Sequence, residues 1–425
     1  MGYSPPNRFL RPNGEGGRPP ARMYARVDSV ERTGPKNKEF VVMLDGVDAA
    51  QLDNMGLQAL RAGGIREIGI GTIEIRGLPA EEYQSSESRD LFEEGQWLEI
   101  SFGDAGAYRK VLYYANLFAD PTEQPANISI VAKRLKAQLD QSFSLDDVDD
   151  AEPELVELLL AHGTGADYMS VLDVGQGNAA AFCGSQAGAL LYFDLGGGVQ
   201  GNVHTFPDGR RMCFTQRPAI VLSHWDWDHW SSGLRYGEAL KSPWLVPRQA
   251  LGAVHRAFAY ELIQRGGLSV WPSGLSSCVV GSLTLIRCGG TSRNDSGLAM
   301  CVNVMRADGT GGVALLPGDA EYSMIPGLQP LAAVVASHHG AELGSIDRCV
   351  PAGANSAIVF SYGHGNTFGH PKRAASLDYE QVGWLSNRAL RTAIPQASRP
   401  NDIALRMTTA PCTSGCGHCD PGFVV

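Results

Sequence analysis

Four side chains able to bind a metal fall within six positions: His224, Asp226, Asp228 and His229, in the stretch Ser223-His224-Trp225-Asp226-Trp227-Asp228-His229. Imidazole nitrogen and carboxylate oxygen together suit a divalent ion such as zinc, manganese or iron. The stretch follows Pro218-Ala219-Ile220-Val221-Leu222, an apolar run that reads as a short buried strand. A loop at a strand end can turn several side chains toward one point. Three later apolar runs end in the same way. Gly312 to Leu316 leads into Pro317-Gly318-Asp319, Leu331 to Ala336 into Ser337-His338-His339-Gly340, and Ala357 to Phe360 into Ser361-Tyr362-Gly363-His364-Gly365-Asn366-Thr367-Phe368-Gly369-His370-Pro371. Of the ten histidines, six lie in these loops: His224, His229, His338, His339, His364 and His370. A single histidine at a strand end is more often structural than a ligand. The ordered series of polar strand ends is what points to metal chemistry.

The elements that must position these loops begin at Tyr168. Tyr168 to Val174 reads as a strand leading into Gly175-Gln176-Gly177-Asn178. Ala189 to Phe193 reads as another, ending in Asp194-Leu195-Gly196-Gly197-Gly198. Pro247 to Arg265 has the spacing of a helix, with Leu251, Val254, Phe258 and Leu262 on one face. Strands are expected over Ser276–Val280, Leu283–Arg287 and Leu298–Met305, the last preceded by the turn Asn294-Asp295-Ser296-Gly297.

Before this, a hairpin is expected from Met23–Val27 and Phe40–Leu44 around Thr33-Gly34-Pro35. Helices follow over Ala49–Ala62 and Ile128–Leu139, with strands over Ile65–Ile75, Trp97–Phe102 and Val111–Phe118. These make a small α+β accessory domain at 21–145, suited to substrate selection, to docking a partner, or only to buttressing. Residues 1–20 are rich in Pro, Gly and Arg with no apolar h-region, so they read as a disordered N-terminus and not a signal peptide. The acidic run Asp146–Asp150 marks a linker, and with the helix that Pro153 opens and Gly163 ends it fills 146–163. The metal-bearing domain occupies 164–410. The tail, 411–425, holds Cys412, Cys416, His418 and Cys419; it reads as a flexible reduced tail more than a structural zinc site, because His418 beside Cys419 is crowded for a tetrahedral ion.

Composition narrows the function. The 425 residues carry a net charge of −10. Residues 1–150 hold 17 Lys and Arg against 24 Asp and Glu, and the remainder 18 against 21, so neither part is a basic nucleic-acid-binding domain. No apolar run approaches the ~20 residues of a membrane span. Nine cysteines scattered through a long chain suggest reduced thiols in the cytoplasm.

Taken together, residues from Tyr168 to Arg406 resemble the metallo-β-lactamase superfamily. The stretch His224–His229 resembles its second motif, His-x-His-x-Asp-His, with Asp226 in place of the second His. That form looks like the branch that includes the C-terminal domain of the competence protein ComEC. The two glycine turns, Asn294 to Ser296 and the closing Gly-His-Pro resemble that branch's other segments, although Asn178 stands where it usually has Asp. The resemblance implies an αββα sandwich, a metallo-β-lactamase fold preceded here by the small α+β domain. It implies two divalent ions, zinc first and manganese as alternative, that activate water as hydroxide. His224 and Asp226 are assigned to one ion, Asp228, His229 and His338 to the other, and Asp319 to both, with His338 and His339 left as alternatives. Asp194 would orient the metal loop, and His370 would stabilise charge on the substrate or act as general acid. The implied activity is hydrolysis of a phosphodiester in a nucleic acid or nucleotide. The alternatives are cleavage of a thioester, lactone or amide, or a metal-bound scaffold acting through a protein partner docked on residues 21–150.

Overall fold

In a computed structural model of the chain, residues 17–33, 38–103, 106, 109–306, 308–385, 389–393, 400–413 and 423–424 are described. The turn residues Gly34 and Pro35, most of residues 1–20, and Cys416, His418 and Cys419 of the tail lie outside them. The chain forms two compact units. One comprises Met1–Asp147, Ala250–Gln264 and Thr367–Gly369; the other comprises Val148–Gln249, Arg265–Asn366 and His370–Val425.

The first unit is a closed antiparallel barrel. Its strands are β1 (Arg22–Thr33), β2 (Glu39–Asp48), β3 (Ile70–Pro79), β4 (Trp97–Phe102), β5 (Arg109–Tyr114) and β6 (Thr122–Ile130), in the order β1-β2-β3-β5-β6-β4. Alternate residues such as Met23, Ala25 and Val27, and Val42 and Leu44, fill its interior. Several sequence expectations shift here. The helix expected over Ala49–Ala62 is two, Ala49–Met55 and Leu57–Arg61, parted at Gly56. The strand expected from Ile65 begins at Ile70. Ile128, expected in a helix, pairs with Ile100, and Ile130 with Leu98; the helix starts only at Lys133. A long-range ladder overrides the local spacing there.

The helix expected from Pro247 starts at Ala253 and packs in this first unit, although its sequence lies inside the stretch read as the metal domain. Asp45 of β2 supplies the reason. Its carboxylate accepts the Val254 and His255 amides at 2.7 and 3.3 Å, capping the helix Ala253–Ile263 from a distant strand.

The second unit has two sheets. The eight-stranded sheet holds β7 (Tyr168–Val171), β8 (Ala179–Gly184), β9 (Gly188–Leu195), β10 (Ala219–Val221), β11 (Trp244–Val246), β12 (Leu268–Val270), β20 (Ile403–Arg406) and β21 (Phe423–Val424). Its order is β12-β11-β10-β9-β8-β7-β20-β21. The seven-stranded sheet runs in sequence order through β13 (Ser277–Val280), β14 (Leu283–Arg287), β15 (Leu298–Met305), β16 (Gly311–Leu316), β17 (Ala333–Val335), β18 (Ala357–Phe360) and β19 (Ala389–Arg391). One core joins them: Val171, Phe182, Leu191, Phe193 and Val221 from one sheet meet Leu285, Met300, Val302, Leu316 and Val335 from the other. The intervening residues Ala299, Leu315, Val334, Ile358 and Phe360 face outward onto a second core with Tyr379 of the helix Arg373–Gln381. The helix Trp227–Trp230 packs against β9.

The acidic run is pinned by ion pairs more than it is a solvated linker. Asp147 pairs with Arg256 at 2.6 Å in the first unit, and Asp150 with Arg248 at 2.8 Å in the second. Among the described residues no helix is long and apolar enough to cross a membrane.

Candidate metal centre

The site is built at strand ends of the second unit. Asp194 closes β9 with φ at 58°, a left-handed conformation unusual for a residue other than Gly. That turn sends its buried carboxylate under the loop after β10. Oδ1 accepts the Ser223 amide at 2.7 Å, and Oδ2 accepts the Ser223 hydroxyl at 2.9 Å and Nδ1 of His229 at 2.8 Å.

The two glycine turns cradle the same loop from below. The carbonyl oxygen of Asp228 accepts the amides of Asn178 and Gly197, each at 3.1 Å. A side chain on Gly196 would overlap that oxygen, and so would one on Gly177, whose φ is 146°. Ser231 and Ser232 return hydroxyl hydrogen bonds to the carbonyls of Gly197 and Gly196. Glycine is therefore required at these positions by the close approach of Asp228.

Three imidazoles then present one nitrogen each. Nδ1 of His229 donates to Asp194, Nδ1 of His224 lies 3.0 Å from the Ser223 hydroxyl, and Nδ1 of His339 donates to the Ser361 carbonyl at 2.9 Å. With Nδ1 engaged in each ring, Nε2 is the atom left to face a metal. All three Nε2 atoms are buried without a hydrogen-bond partner, as is Oδ1 of Asp319. They nonetheless lie close to carboxylates. His229 Nε2 is 3.1 Å from Asp319 Oδ1, His339 Nε2 is 3.1 Å from Asp228 Oδ2, and His224 Nε2 is 3.2 Å from Asp226 Oδ2. Two ligand atoms about 2.0 Å from a tetrahedral ion sit about 3.3 Å apart, so this donor set fits a divalent metal. His224, His229 and Asp319 form one triplet of possible ligands, and Asp228, His229 and His339 another.

His338 and His339 are both close. His338 Nε2 is 3.7 Å from Asp319 Oδ2, the same distance as His339. Both take a left-handed φ, 50° and 56°, strained for any residue with a Cβ. They differ in setting: His339 is buried and held at Nδ1, whereas His338 is partly exposed. Sequence alone could not choose between two adjacent histidines. His370 is buried and stacks on His339 with ring centres 6.2 Å apart. Asn366 grips its backbone, accepting the His370 amide at 2.9 Å and donating to its carbonyl at 2.7 Å. His364 is exposed.

Arg293 carries no signature of a site residue in the sequence. Its guanidinium donates to Asp226 Oδ1 at 3.0 Å, with the side chain 8% exposed. Ser223 and Gln249 were also missed as positioning residues. Gln249 accepts the Trp225 amide at 3.0 Å and donates to the Arg293 carbonyl and the Ser296 hydroxyl at 2.6 and 2.9 Å.

Burial disfavours charge throughout this cluster, and the partners reverse that. Burial pushes the Asp319 carboxyl up, but His229, His339 and His338 hold it well below the usual range. Burial raises Asp226 as well, yet His224 and Arg293 bring it far down. Burial lowers His229, and Asp319 and Asp194 raise it well above the ordinary imidazole value. His370 goes the other way: burial, then His338, His339 and Lys372, keep it neutral.

A third triplet, Asp28, Asp45 and His255, lies buried in the first unit. Asp28 sits at a β-bulge between Val27 and Ser29, which aims it at His255. Here His255 Nε2 and Asp28 Oδ1 are in hydrogen-bonding geometry at 3.0 Å, and Asp45 is occupied by backbone amides. These donors and acceptors answer one another, unlike those of the metal centre.

No protein-family model matches the chain, and no curated protein does. Among solved structures, the chain is similar to MEM-A1, a subclass B3 metallo-beta-lactamase isolated from a soil metagenome library. The identity is 12% and the TM-score 0.23, over 38% of this chain and 66% of that one. It is also similar to Zn(2+)-bound PqqB from Methylobacterium extorquens, at 10% identity and a TM-score of 0.28, over 55% of this chain and 99% of that one. At these values the reading of the site rests on this chain's own side chains.

Proposed function

We propose that the chain is a divalent-metal-dependent hydrolase of the metallo-β-lactamase superfamily, acting on a phosphodiester in a nucleic acid or nucleotide. The observation that carries the hydrolase reading is a set of buried donor atoms without hydrogen-bond partners, Nε2 of His224, His229 and His339 and Oδ1 of Asp319, in two triplets that share His229. Such a donor set would hold zinc, or manganese given its oxygen content. A bound divalent ion supplies Lewis acidity and a nucleophilic water at neutral pH.

The remaining work falls to the chain. Asp194 and Ser361 keep the His229 and His339 rings turned so that Nε2 faces the centre. His370, neutral and buried, is suited to donate a hydrogen bond to an oxygen that gains charge during the reaction. Asp226 in the His-x-Asp-x-Asp-His form, paired with Arg293, supports a phosphodiester over a carbonyl substrate, because it brings a guanidinium, a group suited to phosphate oxygens, within 3.0 Å of a candidate ligand.

The test is a panel with zinc or manganese added: single- and double-stranded DNA, RNA, cyclic nucleotides, a generic phosphodiester, a thioester and a lactone. A phosphodiester is expected to turn over fastest. A thioester or lactone turned over faster would overturn the substrate class and leave the metal centre standing.

A further inference from the structure

We infer that Arg293 takes the place of one of the two metal charges, so that the chain binds one divalent ion tightly and a second only weakly. The inference rests on the metal-centre reading above and concerns how that centre is charged. The tight position is bounded by Asp228, His229, His339 and Asp319. His339 Nε2 lies 3.1 Å from Asp228 Oδ2 and 3.7 Å from Asp319 Oδ2, and His229 Nε2 lies 3.1 Å from Asp319 Oδ1 and 3.9 Å from Asp228 Oδ1. Asp228, His229 and His339 each offer one ligand atom to a common point, and Asp319 lies against both imidazoles.

The other position is poorer. Of its triplet His224, His229 and Asp319, only His224 does not also face the first position, and Asp226 can add only Oδ2 because its Oδ1 is taken by Arg293. An arginine is charged at every working pH. Its guanidinium, buried beside Asp226, repels a second cation there and occupies the anion that would have attracted it.

Arg293 is also built in. Gln249 holds its carbonyl and the Trp225 amide together, so the arginine and the metal loop share a support. The turn that carries it is closed by Ser292 and Asp295 at 2.8 Å. Asp295 in turn accepts the amide of Glu321, two residues beyond Asp319, at 2.8 Å.

The experiment strips the full-length protein with a chelator and titrates it with Zn2+ against a competing chelator, then with Mn2+ by electron paramagnetic resonance. The wild type should retain one ion through gel filtration, with a second bound at least about 100-fold more weakly. Arg293→Gln should tighten the second ion at least about tenfold, and Arg293→Lys, which keeps the charge, should leave it weak. Two ions of comparable affinity in the wild type overturn the inference while leaving the metal centre intact. So does an Arg293→Gln variant of unchanged circular dichroism whose second ion is no tighter. If that variant misfolds, Asp226→Asn decides: it should keep the tight ion, and its loss there overturns the inference. No ion bound at all would remove the metal-centre reading as well.

Discussion

Asp194 and His229 stand back to back with the metal centre. Oδ2 of Asp194 accepts the Nδ1 proton of His229 at 2.8 Å, and the opposite nitrogen of that ring lies 3.1 Å from Asp319. The carboxylate thus sets the aim of the His229 ring. Asp194→Asn keeps a side chain that tolerates the left-handed backbone but cannot accept from both Ser223 and His229 in the same way. Metal affinity is expected to fall roughly 10- to 100-fold with the circular dichroism spectrum unchanged, read by chelator competition. Unchanged affinity would remove the orienting role.

The same pair gives a pH dependence. Burial lowers the His229 pKa, but Asp319 and Asp194 raise it well above the ordinary value. In the metal-free protein the folded state therefore holds this proton more tightly than the unfolded chain. That stability is complete below about pH 6.5 and is lost as pH rises through the folded value. A metal must displace the proton. The rise in Tm on adding metal should accordingly be larger at about pH 8.5 than at about pH 6, and calorimetry in two buffers should show proton release. A rise that shrinks with pH would contradict this.

Gly196→Ala places a methyl group on the Asp228 carbonyl oxygen. It should cost roughly 2–4 kcal/mol and weaken metal binding, because relief requires the Asp228 loop to move. Gly237→Ala, where nothing lies within 4 Å, should stay within about 0.5 kcal/mol. Thermal melts with metal titration compare the two.

How much of this was legible depends on distance along the chain. Local clusters showed well: His224 to His229, Gly318-Asp319 and Gly369-His370 all follow apolar runs whose ends could be read directly. The two glycine turns were visible as a pattern, but their reason was not, since the atom they accommodate, the Asp228 carbonyl, lies some distance on in sequence. Arg293 had no signature, because one arginine in a turn acquires meaning only when Asp226 is beside it. Barrel closure through β1 and β4 depends on long-range register, and the helix Ala253–Ile263 was assigned to the metal domain because only Asp45 reveals where it packs.

That helix changes what truncation should do. Read as a linker, the acidic run Asp146–Asp150 would let the metal-bearing domain stand alone. A chain starting at Val148 would leave His255 without Asp28 and the helix without its Asp45 cap. It is expected to aggregate or to lose that helix, while Asp45→Ala in the full chain should cost about 2 kcal/mol or more. A soluble, metal-loaded truncated chain with full helicity would contradict the packing.

The central claim is that the buried Nε2 atoms and Asp319 hold a metal. Elemental analysis of the full-length protein after gentle, chelator-free purification tests it most directly, with the stripped protein titrated alongside. The account predicts at least one equivalent of zinc or manganese per chain, recovered after stripping and abolished in Asp319→Ala and Asp228→Ala. Trace metal only, with no uptake on titration, would contradict it.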